Sequence, residues 1–138
     1  MLSTEENELI TSVGEGTLTG ELFRRYWMPL LLTEELTEAQ DAPVRVRALG
    51  EDFVAYRDNT GTARIIGALC PHRRTNLVYA ANEGCGLRCL YHGWLIDGSG
   101  TILEMPNDSV GNARHKIKHR ACPTAEAGGI VWGYLGPE

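Results

Sequence analysis

The chain has no apolar run long enough to cross a membrane: the longest, Met28-Pro29-Leu30-Leu31-Leu32, falls far short of the ~20 residues a span needs. It also lacks an excess of positive charge. With 13 Lys and Arg against 18 Asp and Glu the net charge is -5, so no basic surface is offered to nucleic acid or to an anionic membrane, and neither is expected as a partner. The first residues, Met1-Leu2-Ser3-Thr4-Glu5-Glu6-Asn7-Glu8, are acidic where a secretory signal needs a positive stretch before its apolar core, which makes a cytoplasmic location the expectation. Glycine-rich phosphate loops, internal repeats and low-complexity tracts are missing too, which sets aside nucleotide sites and solenoids. Cysteine is scarce, at Cys70, Cys85, Cys89 and Cys122. In a reducing compartment such Cys, when they sit at short spacings from His, mean metal more often than disulfides.

What is present suits one compact β-rich domain. A chain of 138 residues has room for one hydrophobic core and too little for a second domain of ordinary size. Its 16 glycines favour turns and strands over a helical bundle. Leu18, Leu22, Phe23 and Tyr26 recur at spacings that predict one short amphipathic helix after Gly16-Thr17, in an N-terminal segment, 1–43, packed on the core. From Val44 the pattern alternates, with Val44, Val46 and Ala48 on one face and Arg45 and Arg47 on the other, the mark of a half-buried strand. Turn signals at 49–52, 58–61 and 97–100 separate further strands at 53–57, 63–69, 94–96 and 101–103, and 129–135 reads as a closing strand before Gly136-Pro137-Glu138. The expected fold is all-β, an antiparallel β-sandwich or barrel over 44–138 with a short N-terminal helix.

Two clusters carry chemistry: Cys70-Pro71-His72 and, after a spacer, Cys89-Leu90-Tyr91-His92. Each offers one thiolate and one imidazole, and each lies where a strand should end in a loop, so two loops at one end of a small sheet can face each other. Pro71 fixes one backbone angle and Gly93 relieves crowding after His92. Zinc also takes two Cys and two His, but the single residue within Cys70-Pro71-His72 is shorter than the usual zinc knuckle, and both pairs run Cys before His. Cys85 and Cys122 fit neither pair and read as small, partly buried thiols.

The pattern resembles the Rieske iron–sulfur motif, in which two Cys bind one iron and two His the other. That resemblance implies a Rieske-type β-fold with two cluster-binding loops, a [2Fe-2S] cluster held by Cys70, His72, Cys89 and His92, and one-electron exchange. Two ferric ions, two sulfides and two thiolates sum to no charge, so an electron enters more easily than in a four-Cys cluster. Respiratory-type Rieske proteins carry an extra Cys in each loop and a Ser near the second His; here Thr75, Tyr91 and Trp94 stand at those places. The lost sulfide hydrogen bonds imply a potential near the bottom of the Rieske window, about -150 mV. Arg73, Tyr91, Gly93 and Trp94 flank the ligands and are candidates for orienting the loops or stacking beneath the cluster.

The likeness extends to the large subunits of ring-hydroxylating oxygenases, in particular the phthalate dioxygenase group. It rests on the two loops, on Leu22-Phe23-Arg24-Arg25-Tyr26-Trp27-Met28-Pro29, on Gly50-Glu51-Asp52, on Glu104-Met105-Pro106 and on Val131-Trp132-Gly133-Tyr134-Leu135-Gly136-Pro137. It implies a larger protein, a homotrimer or a multiple of one. There a flavin and iron–sulfur reductase feeds the Rieske centre, which serves the mononuclear Fe(II) of a catalytic domain, the nearest being a neighbouring subunit's. That second site, two His and a carboxylate, is not expected in this chain. His115 and His119 alternate as on a strand, which would place both on one face; Asp108 is only a loose carboxylate partner, and they read as surface or interdomain histidines. A stand-alone Rieske ferredoxin is the alternative, disfavoured by the long segment 1–43, and a zinc-stabilised interaction module is the remote one.

Overall fold

The computed structural model of the chain describes residues 1–109 and 113–137; Glu138, the end of the expected closing loop, lies outside them. The N-terminal segment opens with helix α1 (Thr4–Thr11), where Ser3 and Glu6 form a reciprocal capping box, and helix α2 (Leu18–Phe23), capped by Thr17. Strand β1 (Trp27–Leu32) follows, then β2 (Val44–Ala48), β3 (Glu51–Arg57), β4 (Ala63–Gly67), β5 (Ala81–Asn82), β6 (Leu87–Arg88), β7 (Leu95–Ile96), β8 (Ile102–Glu104), β9 (Ala121–Cys122), β10 (Thr124–Ala127) and β11 (Ile130–Tyr134). They form three antiparallel sheets of order β1-β11-β10, β2-β3-β4-β9 and β5-β6-β7-β8. The expected all-β antiparallel class is what the chain adopts.

The middle sheet is buried on both faces, and its alternation feeds two cores. Phe53, Ala55 and Ile65 point one way, to pack with Val46, Leu31 and Val131. Val54, Tyr56 and Ile66 point the other way, toward Leu77, Leu87, Ile96 and Ile102. The second core is the one that matters for the site, because Cys70, Cys89 and Trp94 belong to it. The turns at 58–62 and 97–101 are copies of one device: Asp58 Oδ1 accepts from the amides of Thr60 and Thr62, and Asp97 Oδ1 from those of Ser99 and Thr101. Burial opposes ionisation of Asp58, but bonds from Thr60, Arg64 and two backbone amides hold its carboxyl at about 2.

The N-terminal segment departs from expectation. Helix α2 begins after Gly16-Thr17 as read, but Leu18, Leu22, Phe23 and Tyr26 are exposed instead of packed on the core. What ties the segment down is a charge: Arg24 is 4% exposed, pairs with Glu51 at 2.8 Å and donates to the carbonyls of Val13, Gly20 and Leu49. A buried guanidinium stays only where its donors are satisfied, and here they are. The same segment also supplies β1, whose partner is the closing strand β11.

Candidate metal centre

The two expected loops come from different sheets, not from one end of a single sheet. The first leaves β4 of the middle sheet; the second joins β6 to β7 in the third. Their backbones nevertheless match. Cys70 N–H donates to Thr75 O and Arg74 N–H to Cys70 O, each at 2.9 Å. Cys89 N–H donates to Trp94 O and Gly93 N–H to Cys89 O, again at 2.9 Å. In both loops the residue four after the cysteine takes a left-handed φ, 56° at Arg74 and 73° at Gly93. The glycine follows from the space: a Cβ on Gly93 would sit 3.3 Å from Pro106 Cγ, besides the cost of that backbone to an L-residue.

These loops bring like side chains together. The Cys70 and Cys89 thiols lie next to each other, both buried, and the His72 and His92 rings lie edge to face with centroids 4.6 Å apart. Burial pushes the Cys70 thiol up to about 11 and its neighbour Cys89 adds to this, while the backbone amides of His72 and Arg73 aimed at the sulfur pull the other way. Such a pair becomes two thiolates only beside a strong positive charge. Burial, His92 and Arg73 together lower the pKa of His72, leaving the neutral imidazole that ligates metal. His92 Nδ1 is buried with no hydrogen-bond partner, an orphan acceptor of the kind a metal ion satisfies.

The flanking candidates divide. Trp94, at 4% exposure, stacks on the His72 ring at 4.8 Å and 5° and donates from Nε1 to Asn107 Oδ1 at 2.7 Å; it locks an imidazole of the other loop. Asn107 was not anticipated, since nothing in its sequence context marks it. Tyr91 is 58% exposed with its ring 3.8 Å from that of His92. Arg73 is exposed beside His72. Arg88 donates to Gly93 O and is held by Glu83 and Glu104 at the base of the second loop.

His115 and His119 do not share a strand face: residues 114–116 are a 3-10 turn with His115 exposed, whereas His119 is 8% exposed and its Nε2 lies 2.8 Å from Gly67 O. Burial lowers the pKa of His119, so the neutral ring donates to that carbonyl and the residue is a core histidine. Asp108 accepts from Ala113 N–H, and among the described residues no three His, Cys, Asp or Glu side chains gather around a single-ion position. Cys122 is a buried thiol as read, but Cys85 is exposed. No disulfide forms among the four cysteines, and no helix among the described residues is long and apolar enough to cross a membrane.

The family described as "Rieske [2Fe-2S] domain" matches residues 26–116. The oxygenase subunit of phthalate 4,5-dioxygenase from Pseudomonas putida is 45% identical, over 100% of this chain and 32% of that protein. The oxygenase subunit of 5,5'-dehydrodivanillate O-demethylase from a Sphingobium species is 40% identical, over 99% of this chain and 33% of that protein. The chain thus spans about a third of the length of these relatives. Among solved structures, the complex of oxygenase and ferredoxin in carbazole 1,9a-dioxygenase matches with a TM-score of 0.74 at 26% identity, covering 84% of this chain and 30% of that one. Dicamba monooxygenase matches at 0.71 and 28%, covering 83% and 35%.

Proposed function

This chain belongs to the Rieske [2Fe-2S] domain family, and from that premise we propose that Cys70 and Cys89 hold one iron and His72 and His92 the other, making the domain a one-electron relay within a ring-hydroxylating oxygenase. The carrying observation is the sorting of the ligands. Thiol lies against thiol and imidazole beside imidazole, with His92 Nδ1 orphaned, whereas a single zinc ion would want all four donors around one point. When bound, the cluster supplies reversible one-electron chemistry.

The protein's part is to hold that chemistry still. Backbone amides of His72 and Arg73 point at the Cys70 sulfur, Trp94 fixes the plane of His72, and the buried thiol pair lies in the core while the imidazoles are half-exposed at the surface. Electrons therefore enter and leave on the histidine side. The reading includes a flavin and iron–sulfur reductase as donor and the mononuclear iron of a phthalate dioxygenase-like catalytic unit as acceptor. Its support is similarity that runs over the whole chain to oxygenase subunits; a free ferredoxin-type carrier is the second reading. Redox titration tests the relay: a one-electron step near about -150 mV is expected, and a midpoint well above zero would overturn the low-potential assignment.

A further inference from the structure

The likeness of the two loops ends at their histidines, which are held differently. His72 lies against a buried ring: Trp94, 4% exposed, stacks on it with planes 5° apart and centroids 4.8 Å apart. The ring beside His92 is that of Tyr91, which is exposed and tilted by 37°. A stacked ring fixes its neighbour's plane only if its own plane is fixed. Packing restrains Trp94, which belongs to the core, but its Nε1–H is a donor that burial obliges to find an acceptor. That acceptor is Asn107 Oδ1, at 2.7 Å.

Asn107 lies in neither ligand loop. It belongs to the turn after β8, closed by Asp108 N–H donating to Met105 O at 2.9 Å. Three contacts set that turn against the second loop and its core. Glu104 pairs with Arg88 at 2.9 Å, and the same guanidinium donates to Gly93 O at 2.9 Å. Pro106 stands 3.3 Å from where a Cβ on Gly93 would lie. Met105 packs on the core that contains Cys70, Cys89 and Trp94. Glu104-Met105-Pro106, part of the family likeness in sequence, thus forms an arm that carries Asn107 to the indole. Asn107 itself is exposed, so what it offers the fold is an acceptor and not buried surface.

We infer that Asn107 is a positioning residue for one proposed ligand only: it holds the Trp94 indole, and through the stacked indole the His72 imidazole, in a single plane, while His92 has no buried counterpart. The inference rests on the ligand assignment above and deepens it, by making the two imidazoles unequal. Groups behind a metal ligand orient it and tune the metal, because the ring plane decides how the ligand overlaps the iron. An indole that loses Asn107 turns toward another acceptor, since a buried N–H without a partner is costly, and the stack turns with it. The loss of that acceptor should therefore show at His72 and not at His92.

The test uses the cluster-loaded protein and Asn107→Leu, which keeps the size of the side chain and removes the acceptor, with Asn107→Asp as the variant that keeps one. Electron–nuclear spin spectroscopy of the reduced protein made with nitrogen-15 histidine reads the two imidazoles separately. In Asn107→Leu one histidine coupling should shift or broaden while the other stays as in wild type, and Asn107→Asp should restore both. In Trp94→Phe the stacked ring has no N–H to hold, so adding Asn107→Leu should change neither coupling further. Two unchanged couplings in Asn107→Leu overturn the inference; so do two that change together, which is what general loosening would give. Hydrogen exchange at the Trp94 indole N–H, followed by its ultraviolet Raman band, should quicken roughly tenfold in Asn107→Leu, and unchanged exchange also overturns the inference. Failure of the ligand assignment would show differently, as a wild type with no histidine coupling, in which exchange at the indole still decides whether Asn107 holds Trp94.

Discussion

Cys70 and Cys89 each donate an amide to the carbonyl five residues on and accept from the amide four residues on, yet that fourth residue is Arg74 in one loop and Gly93 in the other. The shared hydrogen bonds show what a buried thiol turn requires of the backbone. The differing residue shows what the surroundings require. Beside Gly93 stands Pro106, and the loop is pinned by Trp94 and Arg88; beside Arg74 there is solvent. One loop is built into the core and the other presents charge.

The comparison breaks outright if the loops are not equal partners in ligation. Cys70→Ala and Cys89→Ala should each abolish the cluster, as should His72→Ala and His92→Ala, because each leaves an iron with an open position; visible absorption with iron and sulfide analysis checks this. Next in size is the contact that joins the loops. Trp94→Ala should cost about 3–5 kcal/mol, by cavity formation in the core, while Tyr91→Ala, on an exposed ring, should cost under about 1 kcal/mol; unfolding midpoints in denaturant separate them.

A smaller effect tests the twin position itself, and its sign differs between loops. Gly93→Ala should destabilise by about 1–2 kcal/mol from the left-handed backbone, with the Pro106 contact added. Arg74→Gly relieves that same strain against a rise in chain entropy, for a net gain of up to about 1 kcal/mol. Thermal unfolding of the two variants should move in opposite directions. The smallest effect is a pH dependence at the base of the first loop, where neutral His119 donates to Gly67 O. Its folded pKa is lowered by burial, so the unfolded chain takes the proton first. Stability is complete above the ordinary histidine value of about 6.5 and declines as pH falls below it toward the folded value. His119→Gln should flatten that part of the unfolding-midpoint profile, and an unchanged slope would contradict it.

The proposed ligands could be picked out because their spacing is covalent information: C-x-H and C-x-x-H survive whatever the loops do. The likeness of the loops could not, because the histidines fall at different steps after the cysteines while the matching lies in backbone hydrogen bonds. Alternation read β2 correctly and turn signals bounded β3 and β4, whose side chains alternate between two cores and so leave no polar face to read. Alternation failed at His115 and His119, where the period of two is an accident of a 3-10 turn followed by a buried ring. Helix α1 buries none of its residues, so it leaves no apolar stripe to read. Strand β1, apolar throughout, shows no period at all. The burial of Arg24 could not be read from the sequence, because only the folded chain reveals the carbonyls that satisfy it.

The central claim, two thiolates on one iron and two imidazoles on the other, is tested most directly by electron–nuclear spin spectroscopy of the reduced protein made with nitrogen-15 histidine. The account predicts strong couplings from two histidine nitrogens to the cluster spin, those of His72 and His92. A cluster signal with no histidine coupling, or a chain that binds zinc and gives no spin signal, would contradict it.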